Sequence, residues 1–121
     1  MIRLKAVFVS ACLIIISGCY YGNEEDLFPD SGCVTENVSF DTVVKKIIDT
    51  NCIVCHNAGA NLGNVNLSSY DNVKVYVNNG KLLGAIRREP GFSPMPQNAA
   101  PLRSCDIDRI ASWITAGSPN N

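Results

Sequence analysis

Histidine occurs once in the 121 residues, at position 56, and methionine only twice. Any site built on two histidines of one chain is thereby excluded. Aromatic residues make up 7% of the chain and charged residues 17%. Ten Lys and Arg against eleven Asp and Glu give a formal charge of −1, which makes no electrostatic case for nucleic acid as a partner. No apolar run approaches the roughly 20 residues that cross a bilayer as a helix. The longest, Ala6 to Ile16, is little over half that. A chain of 121 residues suits one small domain rather than a multidomain enzyme.

Cysteine, by contrast, is plentiful, with six residues. The first sits in a leader. Met1 to Lys5 supplies a short basic start, Ala6 to Ile16 an apolar stretch, and Ser17-Gly18-Cys19 a small-residue end, the three parts of a secretory signal. Ile16-Ser17-Gly18-Cys19 resembles the lipobox of bacterial lipoproteins, which implies removal of residues 1–18 and acylation of Cys19. Arg3 and Lys5 leave with the signal, so eight basic residues face eleven acidic ones and the mature charge is −3. Cys12 leaves too. The cysteines remaining besides Cys19 are Cys33, Cys52, Cys55 and Cys105. Outside the cytoplasm such an even set is expected to be paired or covalently used.

Residues 19–38 carry Glu24, Glu25, Asp26, Asp30 and Glu36 with no Lys or Arg, and read as an acidic, flexible, solvated tether. The Asn23-Glu24-Glu25-Asp26 cluster resembles surface-export signals of Bacteroidetes-type lipoproteins. Most such runs are plain linker.

The folded domain is expected over 39–121. Phe40, Val43, Val44, Ile47 and Ile48 keep helical spacing, with Ser39 as cap and Asp41 at the positive end. Residues 57–66 are dense in Asn and Gly, hence a loop. Over 68–88 the pattern is divided: Val73, Val75 and Val77 alternate as in a strand, while Tyr70, Val73 and Val77 also fit a helix. Asn78-Asn79-Gly80 ends that segment either way. A last helix is expected with Ser104 as cap, Asp106 in its first turn, and Ile107, Ile110, Ala111 and Ile114 on one face. Gly117 and Pro119 stop it.

Chemistry concentrates at Cys52-Ile53-Val54-Cys55-His56. Two thiols at this spacing match the two vinyl groups of a haem, and the histidine that follows directly can reach the iron. Three other readings use the same residues. A thioredoxin-like dithiol needs a βαβ setting that the pattern does not offer. A zinc site needs a further ligand, for which Cys33 or Cys105 could serve. A structural Cys52–Cys55 disulfide is the third. For a second axial ligand His56 has no histidine companion, and Met95 is the only methionine left after Met1 is removed. A lone methionine is usually core filler. Met95, however, stands in Ser93-Pro94-Met95-Pro96, where two prolines stiffen a loop.

The haem motif, the Met95-Pro96 loop thirty-nine residues later and the terminal amphipathic helix together resemble a small class I cytochrome c. The likeness covers residues 39–121. Gly91 to Pro96 and Asp106 to Ile114 resemble in particular the lipoprotein cytochromes of Bacteroidetes. The resemblance implies an all-α fold of three or four helices around one covalent haem c, and it tips residues 70–79 to helix. It implies Cys52 and Cys55 as thioether sites, with His56 and Met95 as the axial ligands of the iron. Members commonly orient the histidine with a proline carbonyl, yet residues 57–89 contain no proline. Cys33 and Cys105 are the candidate disulfide, closing about 73 residues and contributing roughly 4 kcal/mol through loop-closure entropy. Arg87, Arg88 and Trp113 are weaker candidates for contacts to the haem propionates.

The expected function is single-electron transfer by a carrier lipid-anchored outside the cytoplasm, on the periplasmic side of the outer membrane or at the cell surface. Its partners would be a redox donor and a redox acceptor, with no small-molecule substrate. With two propionates the mature charge of about −5 suggests partners that offer a basic patch. Two rivals differ in class. A haem enzyme or ligand sensor needs an open sixth position. A haem-free redox or structural lipoprotein would use Cys52 and Cys55 without pigment.

Overall fold

Ser39 opens the first helix because its hydroxyl can accept from a backbone N–H that the first turn leaves unpaired, here that of Thr42 (3.4 Å). The computed structural model describes residues 32–121. Cys19, the leader 1–18 and tether residues 19–31 lie outside the described residues. From Ser39 the chain makes a π-helical turn, Phe40–Val44, that continues as α1, Lys45–Asn51. A single 3₁₀ turn, Leu62–Asn64, follows. Then come α2, Tyr70–Asn78, α3, Lys81–Ile86, and α4, Ser104–Thr115. Among the described residues there is no strand, and the fold is all-α.

Residues 70–78 therefore form a helix and the alternating valines do not form a strand. Ser69 caps it by accepting from Asn72 N–H (3.3 Å), Val73 turns into the core, and Val75 stays exposed. The break at Asn79-Gly80 is backbone-driven, since Gly80 has φ +74°, a left-handed value that favours glycine.

The core is centred on Trp113, which is fully buried in α4 together with Ile110. Val44, Ile48 and Val73 close around it. Phe40 stands edge-on to Tyr70 (centroids 5.0 Å, 81°) and tilts over Trp113 (5.5 Å, 32°), so three chain segments meet at one aromatic cluster. α4 packs on the π-helical turn and on α3, and α3 packs on α2.

The chain after α4 folds back over this cluster and satisfies its polar atoms. Trp113 Nε1 donates to the Pro119 carbonyl (2.9 Å), and Tyr70 Oη donates to that of Ser118 (2.8 Å). Asn121 accepts from the unpaired N–H groups of Phe40 and Asp41 (both 2.9 Å). Thus the last residues cap the first helix.

Two boundaries differ from the sequence reading. Ser104 is the first residue of α4 and not its cap. Arg103 precedes it without a capping hydrogen bond, and its guanidinium pairs with buried Asp106 (2.9 and 3.1 Å). The folded unit also starts before Ser39. Cys33 is disulfide-bonded to Cys105, Ser112 Oγ donates to the Thr35 carbonyl (2.5 Å), and Arg109 Nε to that of Val34 (3.3 Å). Val38 is buried in the core. Residues 33–38 are therefore tied along α4, although their composition reads as tether.

Candidate functional site: the C-x-x-C-H turn and the Met95 loop

The motif forms at the C-terminal end of α1, where the last carbonyls lack intrahelical partners. Cys52 N–H closes on Ile48 O (2.8 Å), and the Cys52 carbonyl then accepts from both Cys55 (3.1 Å) and His56 (2.9 Å). This tight turn brings all three side chains to one end of α1. Cys52 and Cys55 are free thiols, and they and His56 are half-buried.

Residues 57–67 fold over the histidine. Leu62 N–H donates to Cys55 O (3.1 Å), and Leu67 N–H to His56 O (2.8 Å). Asn57 braces the loop: its Oδ1 accepts from Gly59 and Ala60 N–H (both 2.8 Å), and its Nδ2 donates to Ile53 O (2.8 Å). As a result the Leu62 carbonyl lies 3.1 Å from His56 Nδ1. A carbonyl oxygen only accepts, so this hydrogen bond needs the proton on Nδ1, and in the neutral ring the lone pair then lies on Nε2. This is the partner for which the sequence offered no proline. Its signal was indirect, because a backbone carbonyl has no residue-type signature.

Met95 is placed by α3. Its N–H donates to Ala85 O (3.0 Å), and its side chain is half-buried. The preceding Phe92 ring lies against Gly84, where an added Cβ would come within 2.6 Å of the ring. Arg88 then holds the far side of the loop, with Nη2 donating to Ala99 O (2.7 Å) and, more weakly, Pro96 O (3.5 Å). Gly84, Phe92 and Arg88 are thus the supports that residue-by-residue reasoning missed. Trp113 and Arg88, weaker candidates for contacts to propionates, make the structural bonds given above, and Arg87 lies 3.8 Å from Glu89.

The electrostatics bear on the dithiol reading. Burial pushes the Cys52 thiol up to about 11. Reactive dithiols need the opposite shift, which a helix N-terminus helps to supply. Cys52 instead ends α1 at its C-terminus, where the helix dipole also disfavours a thiolate. The disulfide commits Cys33 and Cys105 to each other, which removes the zinc ligands they could have supplied. Among the described residues no group of three or more His, Cys, Asp or Glu side chains could hold a metal ion. The raised Cys52 thiol runs against the dithiol reading, and the Cys33–Cys105 disulfide against a zinc site that uses either of those cysteines. No protein-family model, curated protein or solved structure matches the chain.

Proposed function

We propose that this chain is a monohaem c-type cytochrome that carries single electrons while tethered to a membrane through Cys19. The observation that supports it most is the C-x-x-C-H turn itself, with two unbonded thiols and a histidine whose Nδ1–H is held by the Leu62 carbonyl. These residues fit haem c by the chemistry of the donor set. Cys52 and Cys55 would hold it through thioether bonds. His56 would ligate iron through Nε2, the nitrogen left with a lone pair. Met95 would supply the sixth ligand from a loop braced by Pro94, Pro96 and Arg88. When bound, the haem supplies a one-electron couple between ferrous and ferric iron.

The chain's own part is to orient and to tune. The Leu62 carbonyl holds the ring of His56 in one orientation, as outer partners of metal-bound histidines do. A methionine thioether favours the ferrous state and raises the potential. The lipid anchor would keep the carrier at the outer membrane, facing the periplasm or the cell surface. The acidic tether would let it swing between a donor and an acceptor protein. With His56 and Met95 both holding the iron, no position would be left for a small substrate, which is why we read the chain as an electron carrier rather than an enzyme.

The optical spectrum of the chain matured with haem-attachment machinery, beside Met95→Ala, tests this reading. We expect a low-spin c-type spectrum with a sulfur-to-iron band that the variant loses. A high-spin wild type that binds small ligands would instead support a haem enzyme or sensor.

A further inference from the structure

The carbonyl that lies against His56 sits on an exposed turn. Leu62, Gly63 and Asn64 bury nothing, and Leu62 is 56% exposed. Packing therefore does not decide where the Leu62 carbonyl points, and hydrogen bonds must. The backbone here is also costly to hold. Asn61, Gly63 and Asn64 have φ of +41°, +66° and +57°, all left-handed. At a residue other than glycine such a conformation persists where its surroundings fix it. The preceding turn fixes the entry, through Asn61 N–H on Asn57 O (2.8 Å) and Leu62 N–H on Cys55 O (3.1 Å).

The exit is fixed from another helix. Tyr76, on α2, donates its phenolic proton to Asn64 O (3.3 Å). The Asn64 carbonyl and the Val65 N–H belong to one peptide unit, and that N–H donates to Leu62 O (3.3 Å). Leu62 O also accepts from His56 Nδ1 (3.1 Å). A continuous chain thus runs from phenol to peptide to carbonyl to imidazole. Hydrogen bonds in such a chain polarise one another, and a planar peptide gripped at its carbonyl resists turning its N–H away. Among the described residues, Tyr76 makes the only hydrogen bond between α2 and residues 57–66. Its ring is half-buried against the core, so the hydroxyl is carried on a fixed support.

We propose that Tyr76 is a positioning residue for the iron site, a role that rests on the haem ligation proposed above. Its hydroxyl sets the direction of the Leu62 carbonyl through the Asn64–Val65 peptide. That carbonyl in turn sets the orientation of the His56 ring. Outer partners of a ligating histidine orient it and tune the metal it binds. Tyr76 extends that set by one peptide unit, and it reaches the site from a helix that supplies no ligand.

Tyr76→Phe in the holoprotein tests this, since it keeps the ring and removes only the hydroxyl. Tyr70→Phe is the control, because that hydroxyl donates to Ser118 O (2.8 Å) at the aromatic cluster. NMR follows exchange of the His56 Nδ1 proton with solvent, and spectroelectrochemistry follows the iron couple. In Tyr76→Phe the proton should exchange about two- to tenfold faster, as loss of one hydrogen bond allows. At a fixed applied potential its ferrous-to-ferric ratio should move by about twofold or more. Tyr70→Phe should lower the unfolding midpoint yet match the wild type in both readouts. If Tyr76→Phe matches the wild type in proton exchange, or Tyr70→Phe speeds it as much, the proposal is overturned. A wild type that takes up no haem would refute the carrier reading, and this role with it, before any variant is compared.

Discussion

Asn57, the residue after His56, braces the loop that carries the histidine's hydrogen-bond acceptor. Its carboxamide makes three hydrogen bonds of 2.8 Å within residues 53–60. Asn57→Ala removes all three and leaves the part-buried Ile53 carbonyl short of a partner. We expect a loss of about 1–3 kcal/mol in denaturant unfolding of the holoprotein. Cys52 offers a second test at this scale. Its thiol is raised by burial to about 11, so at any pH below that the folded state holds less thiolate than an ordinary cysteine would. In the chain without haem, iodoacetamide should label Cys52 slowly at pH 8 and faster only as pH climbs towards 11. Fast labelling near neutral pH would restore the dithiol reading. Cys52, Cys55, His56 and Met95 stand out in the sequence as the proposed haem set because thiols, imidazoles and thioethers are distinctive. Asn57 and the Leu62 carbonyl do not, because what matters there is a backbone direction.

Among the elements, α3 with the loop behind it decides where Met95 sits. Phe92 rests on Gly84, Met95 N–H bonds Ala85 O, and Arg88 grips Ala99 O. Gly84→Ala would drive a methyl group into the Phe92 ring, which must shift with its loop. The expected cost is about 1–3 kcal/mol in the thermal or denaturant midpoint, together with a weakened sulfur-to-iron band. An unchanged band would mean that the loop holds Met95 without Phe92. Helices α1 and α4 could be read from apolar spacing, since each buries one face. Helix α2 could not be settled that way, because Val73, Val75 and Val77 fit a strand while Tyr70, Val73 and Val77 fit a helix. Only its packing, with Val73 inward and Val75 outward, resolves the pattern. The first residue of α4 was misplaced by one because Ser104 looks like a cap, whereas Arg103 already pairs with Asp106 one turn in.

At the scale of the whole molecule, two long-range ties join the ends of the folded unit to its core. The Cys33–Cys105 disulfide spans 72 positions. Residues 116–121 close over the Phe40–Tyr70–Trp113 cluster through Trp113 Nε1 and Tyr70 Oη. Replacing both disulfide cysteines by serine should lower stability by roughly 4 kcal/mol while leaving the pigment attached. Loss of the pigment in that variant would instead tie Cys33 or Cys105 to the cofactor site. Composition made residues 33–38 look like linker, since it reports solubility and not the hydrogen bonds that Ser112 and Arg109 give them. Whole-chain charge misled in a related way by averaging an acidic tether with a nearly neutral fold.

All of this depends on covalent haem at Cys52 and Cys55, and the mass of the mature chain measures that directly. The chain should be produced with haem-attachment machinery, extracted with acidified acetone, and weighed beside Cys52→Ser/Cys55→Ser. We predict that the wild type keeps the mass of one haem through extraction and that the double variant does not. A wild type without added mass, with both thiols still open to alkylation, would contradict the account.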